Sequence, residues 1–419
     1  MKTVARQGHI GMLFRAMFAQ NLGTGCTFGG LGVSILALQD RYAASLGTAT
    51  MSLSLTVLSM TALGPAIAGL IGRFGLRTVM TSGVVVSLLG YLALAFAPTM
   101  PLALAACGLL IGPGAALFAA LPPAVLASGW YPHDRGKVMG IVYLPLLVTF
   151  IPLLGVDIIQ RHGLAAFYLA IVALHVLLLP YMLGIKDAPM ELAFEEETPA
   201  VATGGQAAVS TLAVIMSSVV FWLIALGDGI LNGTAITGSG LLLPIVQEYG
   251  VAVTTGAVFL SISGASSIVG SLVAGYACDL VGPAWTLALA GMGFALAWAL
   301  IALTGGIPVL AVASFLIGFC GASVFPPISA LVVQVFGFEA LPRVLGLLGV
   351  MTLPFTFAMS PAAGWLRDVS GSYEAAFAML IGTCVLAAVT FLGLGRHLSR
   401  EPGEETQSPT MRLPPAEAT

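Results

Sequence analysis

Ala68-Gly69-Leu70-Ile71-Gly72-Arg73-Phe74-Gly75-Leu76-Arg77 closes one long apolar run and opens the next. Its first two residues recur as Ala274-Gly275, 206 residues on and again at the end of an apolar run. Other pairs keep nearly the same offset: Pro122-Pro123 with Pro326-Pro327 (204), Pro145 and Pro152 with Pro354 and Pro361 (209), Ala166-Phe167 with Ala376-Phe377 (210). Each pair alone is weak. Their order and near-constant spacing read as one structural unit used twice in the chain.

Each unit holds six apolar runs. A helix needs about 20 mostly apolar residues to cross the hydrocarbon core. Twelve segments qualify: 12–38, 50–72, 77–97, 101–128, 137–158, 163–185, 212–246, 252–277, 284–304, 307–335, 342–366 and 374–395. The 419 residues are 58% hydrophobic and 8% charged, with a mean hydropathy of +1.02. A water-soluble domain carries roughly 25% charged residues, so most of this surface must face lipid. Fifty-one glycines suit helices that pack closely without a hydrophobic driving force between them. The expected fold is an all-α membrane protein of twelve transmembrane helices in two pseudo-symmetric halves.

The basic residues set an orientation. With the N-terminus inside, eleven lie on the inner side, among them Arg73, Arg77, Arg135 and Arg343, and only Arg41, Arg161 and Arg367 lie outside. The positive-inside rule then puts both termini in the cytoplasm, with the inner membrane as the expected location. Residues 186–211 change character, with Glu191, Glu195, Glu196, Glu197 and Pro199, and read as an acidic cytoplasmic linker. The division expected is 1–185, the linker 186–211, a second half 212–398, and a polar tail 399–419 read as disordered. Prolines inside the fourth, fifth, tenth and eleventh runs either permit bending between the halves or shape static helices.

The loop Gly72-Arg73-Phe74-Gly75-Leu76-Arg77, with Ala68 ahead of it, resembles the major facilitator signature G-x-x-x-D-R-x-G-x-R. Gly72 replaces its acid. Parallel six-helix repeats with a site at the midplane are that superfamily's architecture. Gly64-Pro65, Trp130-Tyr131 with Arg135-Gly136 and Gly140, and Phe338-Glu339-Ala340-Leu341 through Gly346-Leu347 are more specific, as are Pro361, Gly364-Trp365-Leu366, Asp368 and Gly371-Ser372-Tyr373. These are similar to the monocarboxylate transporter family and to the bacterial oxalate/formate antiporters. The resemblance implies alternating-access transport of an organic anion such as a monocarboxylate, with protons as an expected coupling ion. The chain departs from the family at its charges. The helix 8 pattern L-S-I-x-G-x-x-D-x-x-x-R continues from Leu260-Ser261-Ile262-Ser263-Gly264 into Ser267 and Ser271, and the helix 1 lysine falls near Gly30. An anion carrier needs a fixed cation or a helix N-terminus at its site.

Charge within a membrane is costly, so the few intramembrane cases are informative. Asp228 lies well inside the seventh run, and Asn232 follows one turn on along the same helix face. The first run, its symmetry partner, offers Gln20, Asn21, Thr24 and Thr27. Asp228, Asn232, Asn21, Gln20, Thr24 and Tyr143 are the candidate substrate and coupling path. Asp228 either faces the cavity, where it could take up and release a proton as access switches, or satisfies freed backbone groups between Gly227 and Gly229. The amides either face cargo or join helices, and Tyr143 either presents its hydroxyl or sits at the bilayer interface. Arg73, Arg77, Gly75, Asp279, Arg135 and Arg343 are the gating candidates, against the simpler reading that the arginines only set topology. His175 reads as a hydrogen-bonded structural residue and Arg15 as a snorkelling one.

The five cysteines stand singly, and His133-Asp134 has no further ligands near it, so neither disulfides, a metal nor a cofactor is expected. No G-x-S-x-G, H-E-x-x-H or P-loop occurs, which removes the enzyme and ATP-driven readings. A net charge of −3 without a basic patch argues against nucleic acid. The partners expected are lipid and a small-molecule substrate. Two alternatives to an anion carrier stand: an exporter of neutral or cationic amphiphiles, because the expected cavity is poor in fixed positive charge, and a non-transporting sensor or scaffold.

Overall fold

The computed structural model describes residues 2–131, 135–186, 215–303, 306–337 and 340–400. The described residues form helices and connecting turns, with no strand among them. Among the described residues, ten helices are long and apolar enough to cross a membrane. They match the twelve runs once two local breaks are recognised. The second run is broken at Leu63, ahead of Gly64-Pro65, into Leu46–Ala62 and Gly64–Phe74 (together α2). The fifth and sixth runs form one stretch, Leu146–Leu183, that changes direction at Gly163. With φ 83 and ψ 169, Gly163 holds a backbone conformation that side-chain-bearing residues avoid.

The remaining crossings are α1 (Ile10–Tyr42), α3 (Leu76–Phe96) and α4 (Met100–Trp130) in the first half. There α5 comprises Arg135–Val142 and residues 146–162, and α6 residues 164–183. The second half holds α7 (Val219–Glu248), α8 (Val253–Val281), α9 (Pro283–Ala302), α10 (Ile307–Phe336), α11 (Arg343–Ser370) and α12 (Glu374–Arg400). The last helix includes Ser399 and Arg400, which sequence reading had assigned to the tail; the rest of the tail and residues 187–211 lie outside the described residues.

Proline explains where the crossings break. It lacks an N–H and suits the first turn of a helix. Pro145 is the N-cap of the second part of α5, and Pro354 lies in the first turn of the second part of α11. Pro122-Pro123 and Pro326-Pro327 likewise open the last segments of α4 and α10. These three proline matches of the repeat thus mark helix starts, whereas Pro152 and Pro361 lie inside helices.

Large side chains such as Leu109, Leu177, Leu272 and Leu303 are exposed on the bundle's outside, which suits lipid and not water. Inside, glycines set the spacing. A Cβ on Gly83 would stand 2.9 Å from the Gly114 carbonyl, between α3 and α4. The two halves meet at one end of the bundle. There a Cβ on Gly364 of α11 would lie 2.9 Å from Gly47 Cα of α2, and one on Gly32 of α1 would strike the Ser239 carbonyl of α7. At the opposite end, Gly64, Gly69 and Gly72 of α2 and Gly346 of α11 have no such neighbours within 4 Å.

Candidate functional site

A cavity of about 600 Å³ lies between the halves, walled by α1, α2 and α5 on one side and by α7, α8, α10 and α11 on the other. It reaches from Asp228 toward the end that carries Arg73, past Met60 and Thr61 of α2 and Leu345 and Leu348 of α11. That volume is in the range of small-molecule sites.

Of the six residues placed on the path by sequence, five line this cavity: Gln20, Thr24, Tyr143, Asp228 and Asn232. Asp228 is 8% exposed. Its Oδ1 accepts a 2.7 Å hydrogen bond from Asn232 Nδ2, which also donates to the Asp228 carbonyl at 3.0 Å. The four-residue spacing stacks them on one face of α7. Gln20 and Thr24 repeat that spacing on α1, each 208 residues before its α7 counterpart. Gln20 Oε1 is buried with no hydrogen-bond partner among the described residues.

Asn21 is the one path candidate that does not line the cavity. Its Oδ1 accepts from the N–H groups of Leu146 (2.8 Å) and Leu147 (3.2 Å), and so caps the helix that restarts after Pro145. Two first-turn donors that proline had left open are thereby satisfied. Thr27 is buried but is also not a lining residue. Tyr143 lines the cavity, and its hydroxyl donates 2.9 Å to the Ala120 carbonyl. That carbonyl lacks its helical donor because Ala124 N–H bonds Leu121 instead, beside Pro122-Pro123.

Sequence reasoning passed over the α8 and α11 hydroxyls. Ser263, Ser267, Thr352 and Thr356 all line the cavity, and the only signal was that Ser267 stands where the resembled family has an acid. Gly30, at the family's lysine position, faces Ile171, Ile151 and Phe167 instead of the cavity. Among the described residues the lining contains one carboxylate and no Lys, Arg or His.

The gating candidates lie at the end opposite Gly47 and Gly364, where α2 and α11 touch more loosely: a Cβ on Gly349 would stand 3.9 Å from Thr61. Arg73, Arg77, Asp279 and Arg343 are exposed and form no ion pair with one another. Gly75 joins α2 to α3 with φ 78; the Arg135 side chain lies outside the described residues. At the closed end, unforeseen from sequence, Asp368 of α11 accepts from the N–H groups of Gly47 (2.9 Å) and Leu46 (3.3 Å) at the start of α2. Arg367 pairs with Glu248 at 2.9 Å.

His175 is fully buried, with Nε2 3.0 Å from Ser87 Oγ and Nδ1 2.9 Å from the Ile171 carbonyl. Both ring nitrogens are engaged, as a structural histidine requires. Arg15 donates to the Tyr181 carbonyl at 2.9 Å and lies over the Tyr181 ring, so it is fixed at the end of α6. Among the described residues no cluster of His, Cys, Asp or Glu could hold a metal.

The family model described as Major Facilitator Superfamily matches residues 17–270 and 228–417. No curated protein matches the chain. Among solved structures, a D-xylose-proton symporter is similar with a TM-score of 0.70 at 14% identity, covering 91% of this chain and 97% of that one. A nucleoside transporter gives 0.70 at 12% identity, with coverage of 92% and 99%. A peptide transporter gives 0.71 at 14% identity, with coverage of 93% and 95%. At these identities the likeness establishes the shared fold.

Proposed function

The chain belongs to the Major Facilitator Superfamily, and from that premise we propose that it is a secondary transporter of small amphiphilic solutes, neutral or cationic, working by alternating access. The observation that carries the cargo reading is the cavity's charge. Its described lining holds Asp228 and no cationic side chain. An anion entering it would meet a carboxylate without a counter-charge, and burying unpaired charge is strongly unfavourable. The helix N-terminus at Pro145, an otherwise suitable anion seat, is already capped by Asn21. The organic-anion cargo implied by the sequence resemblance rests on that resemblance alone.

A carboxylate removed from water needs a neutralising partner, either a proton or a cationic cargo. Asp228 is therefore the coupling residue in this reading. The closed end, with Gly47 against Gly364 and Asp368 on the start of α2, and a cavity that runs toward the Arg73 end support a carrier facing the side assigned as cytoplasmic. Arg73 and Arg77 would engage only when that side closes.

Asp228→Asn keeps the shape and removes the titration. In proteoliposomes, accumulation driven by a proton gradient should be lost, while counterflow exchange of cargo survives. Accumulation with wild-type pH dependence would return Asp228 to a structural role.

A further inference from the structure

The hydrogen-bonding polarity of the cavity narrows its cargo further. A hydroxyl can donate once and accept twice, so its role toward a ligand depends on where its hydrogen already points. Thr24 Oγ1 donates to the Gln20 carbonyl at 2.8 Å, and Tyr143 to that of Ala120 at 2.9 Å. Ser239 donates to Ala235 at 3.4 Å and Ser267 to Ser263 at 3.0 Å. Thr352 donates to Gly349 and Thr356 to Leu353, both at 3.1 Å. All six line the cavity. Each gives its hydrogen to a helix carbonyl, the usual local bond of such residues in helices, and keeps only lone pairs for the cavity. Asn232 directs its amide nitrogen onto Asp228, which leaves its Oδ1 as an acceptor.

The carboxylate of Asp228 accepts only, when ionised. Gln20 Oε1 is buried without a partner among the described residues, so the cavity meets the Gln20 amide nitrogen, one of its few donors. Oxygen lone pairs and one negative charge thus face a space whose other walls include Phe28, Val57, Met60, Leu260 and Phe325. A ligand made of acceptors, a carboxylate above all, would meet that charge and find donors only at the Gln20 amide nitrogen and the Thr61 and Ser263 hydroxyls of the described lining. A ligand with several N–H donors and a positive charge on an apolar body would satisfy both parts of the wall.

We propose that the cavity binds the protonated amino group of an amphiphilic amine, with Asp228 as its counter-charge and the oxygens of Asn232 and Thr24 accepting its N–H bonds. The inference rests on the transporter reading above and specifies the head group. Thr24 belongs to α1 and Asn232 to α7, at an offset of 208 residues in opposite halves. The ammonium would therefore be held between the halves, where it can pass from one opening to the other. Charge-assisted bonds of this kind are about twice as strong as neutral ones, and a site built for hydrogen-bond donors discriminates sharply against a ligand lacking them.

The test is calorimetric binding to the full-length protein in lipid nanodiscs, with four probes sharing one body: 3-phenylpropylamine, its N,N,N-trimethyl derivative, 3-phenylpropanol and 3-phenylpropanoate. The amine should bind about tenfold or more tightly than the alcohol and the trimethyl derivative, since each amounts to at least one lost interaction of about 1.4 kcal/mol. The propanoate should bind weakest. Asp228→Asn should bring amine and alcohol to within about threefold. Should Asp228→Asn not assemble in nanodiscs, Thr24→Val supplies the second arm, with the amine again the more affected probe. Equal binding of amine and alcohol in the wild type, or an amine preference untouched by these substitutions, overturns the head-group assignment and leaves neutral-solute transport standing. Tightest binding of the propanoate overturns both. Absence of amine binding at millimolar concentration also overturns the assignment.

Discussion

Replacing Asp368 by asparagine should shift the carrier toward the state in which the Asp368 end is open. In the structure its carboxylate reaches from α11 to the first turn of α2, in the other half, and accepts from Leu46 and Gly47 at 3.3 and 2.9 Å. These donors are free because a helix's first N–H groups have no partner within the helix. A negative charge there also meets the positive end of the helix dipole. Hydrogen bonds to charged groups contribute about 1.5–3 kcal/mol, and the dipole adds about 0.3–1 kcal/mol near a surface. The Asp368 side chain is 20% exposed, and asparagine retains one acceptor, so the loss should lie near the low end, about 1.5 kcal/mol. That is roughly a tenfold change in the ratio of the two states. Asp368→Ala removes both bonds and should approach about 2.5 kcal/mol. The assay is pulsed electron spin resonance on labels at Thr99 and Thr254, exposed positions flanking the same end in opposite halves. The longer-distance population should rise in the order wild type, asparagine, alanine. Unchanged distributions in both variants would show that the Asp368 bonds do not hold the end closed.

Three further outcomes follow from the same geometry. Gly364→Ala should also open this end, because the new Cβ would stand 2.9 Å from Gly47 Cα; Gly346→Ala, with no neighbour within 4 Å, is the control, and identical label distances in the two would remove the close-approach argument. Arg73→Ala with Arg77→Ala should slow transport while leaving membrane insertion intact, and wild-type kinetics would assign both to topology alone. Single cysteines at Gln206 and Gly371 should react with an impermeant thiol reagent from opposite sides, and reaction of both from the periplasmic side would reverse the assigned orientation.

The apolar runs and the repeat were legible because they rest on the cost of unsatisfied backbone in lipid and on proline's missing donor, both local properties. Asp228 and Asn232 were legible for the same reason, since helical spacing alone puts them on one face. Asn21 was not. Its partners, Leu146 and Leu147, stand 125 and 126 residues away, and their need for a cap exists only because α5 restarts beside α1. The direction of each cavity hydroxyl is equally invisible in sequence, because it depends on which carbonyl the local backbone offers. Asp368 appeared only as part of a family-like string. Its partners, the N–H groups of Leu46 and Gly47, stand 322 and 321 residues away, and a linear pattern does not specify such a contact between halves.

The two six-helix halves are asymmetric in charge, and the asymmetry has a mechanical consequence. Gln20 and Thr24 on α1 answer Asp228 and Asn232 on α7 at one offset, and Gly32 answers Gly240 at the same one. Close contact near the glycines, where a Cβ on Gly32 would strike the Ser239 carbonyl, lets the two helices touch at the closed end while parting around the polar pairs. If the halves rock about this contact, both pairs stay at the centre and only the exits exchange. A second carboxylate at Gln20 would place two like charges across one small cavity and disfavour ionisation of either. A neutral amide there lets one charge serve both openings. Gln20→Glu should therefore impair cycling more than Gln20→Leu impairs it, although glutamate is the closer match in shape. In proteoliposomes carrying each variant, equal exchange rates would show that charge on α1 is irrelevant and that Asp228 does not act as the single charge of the path.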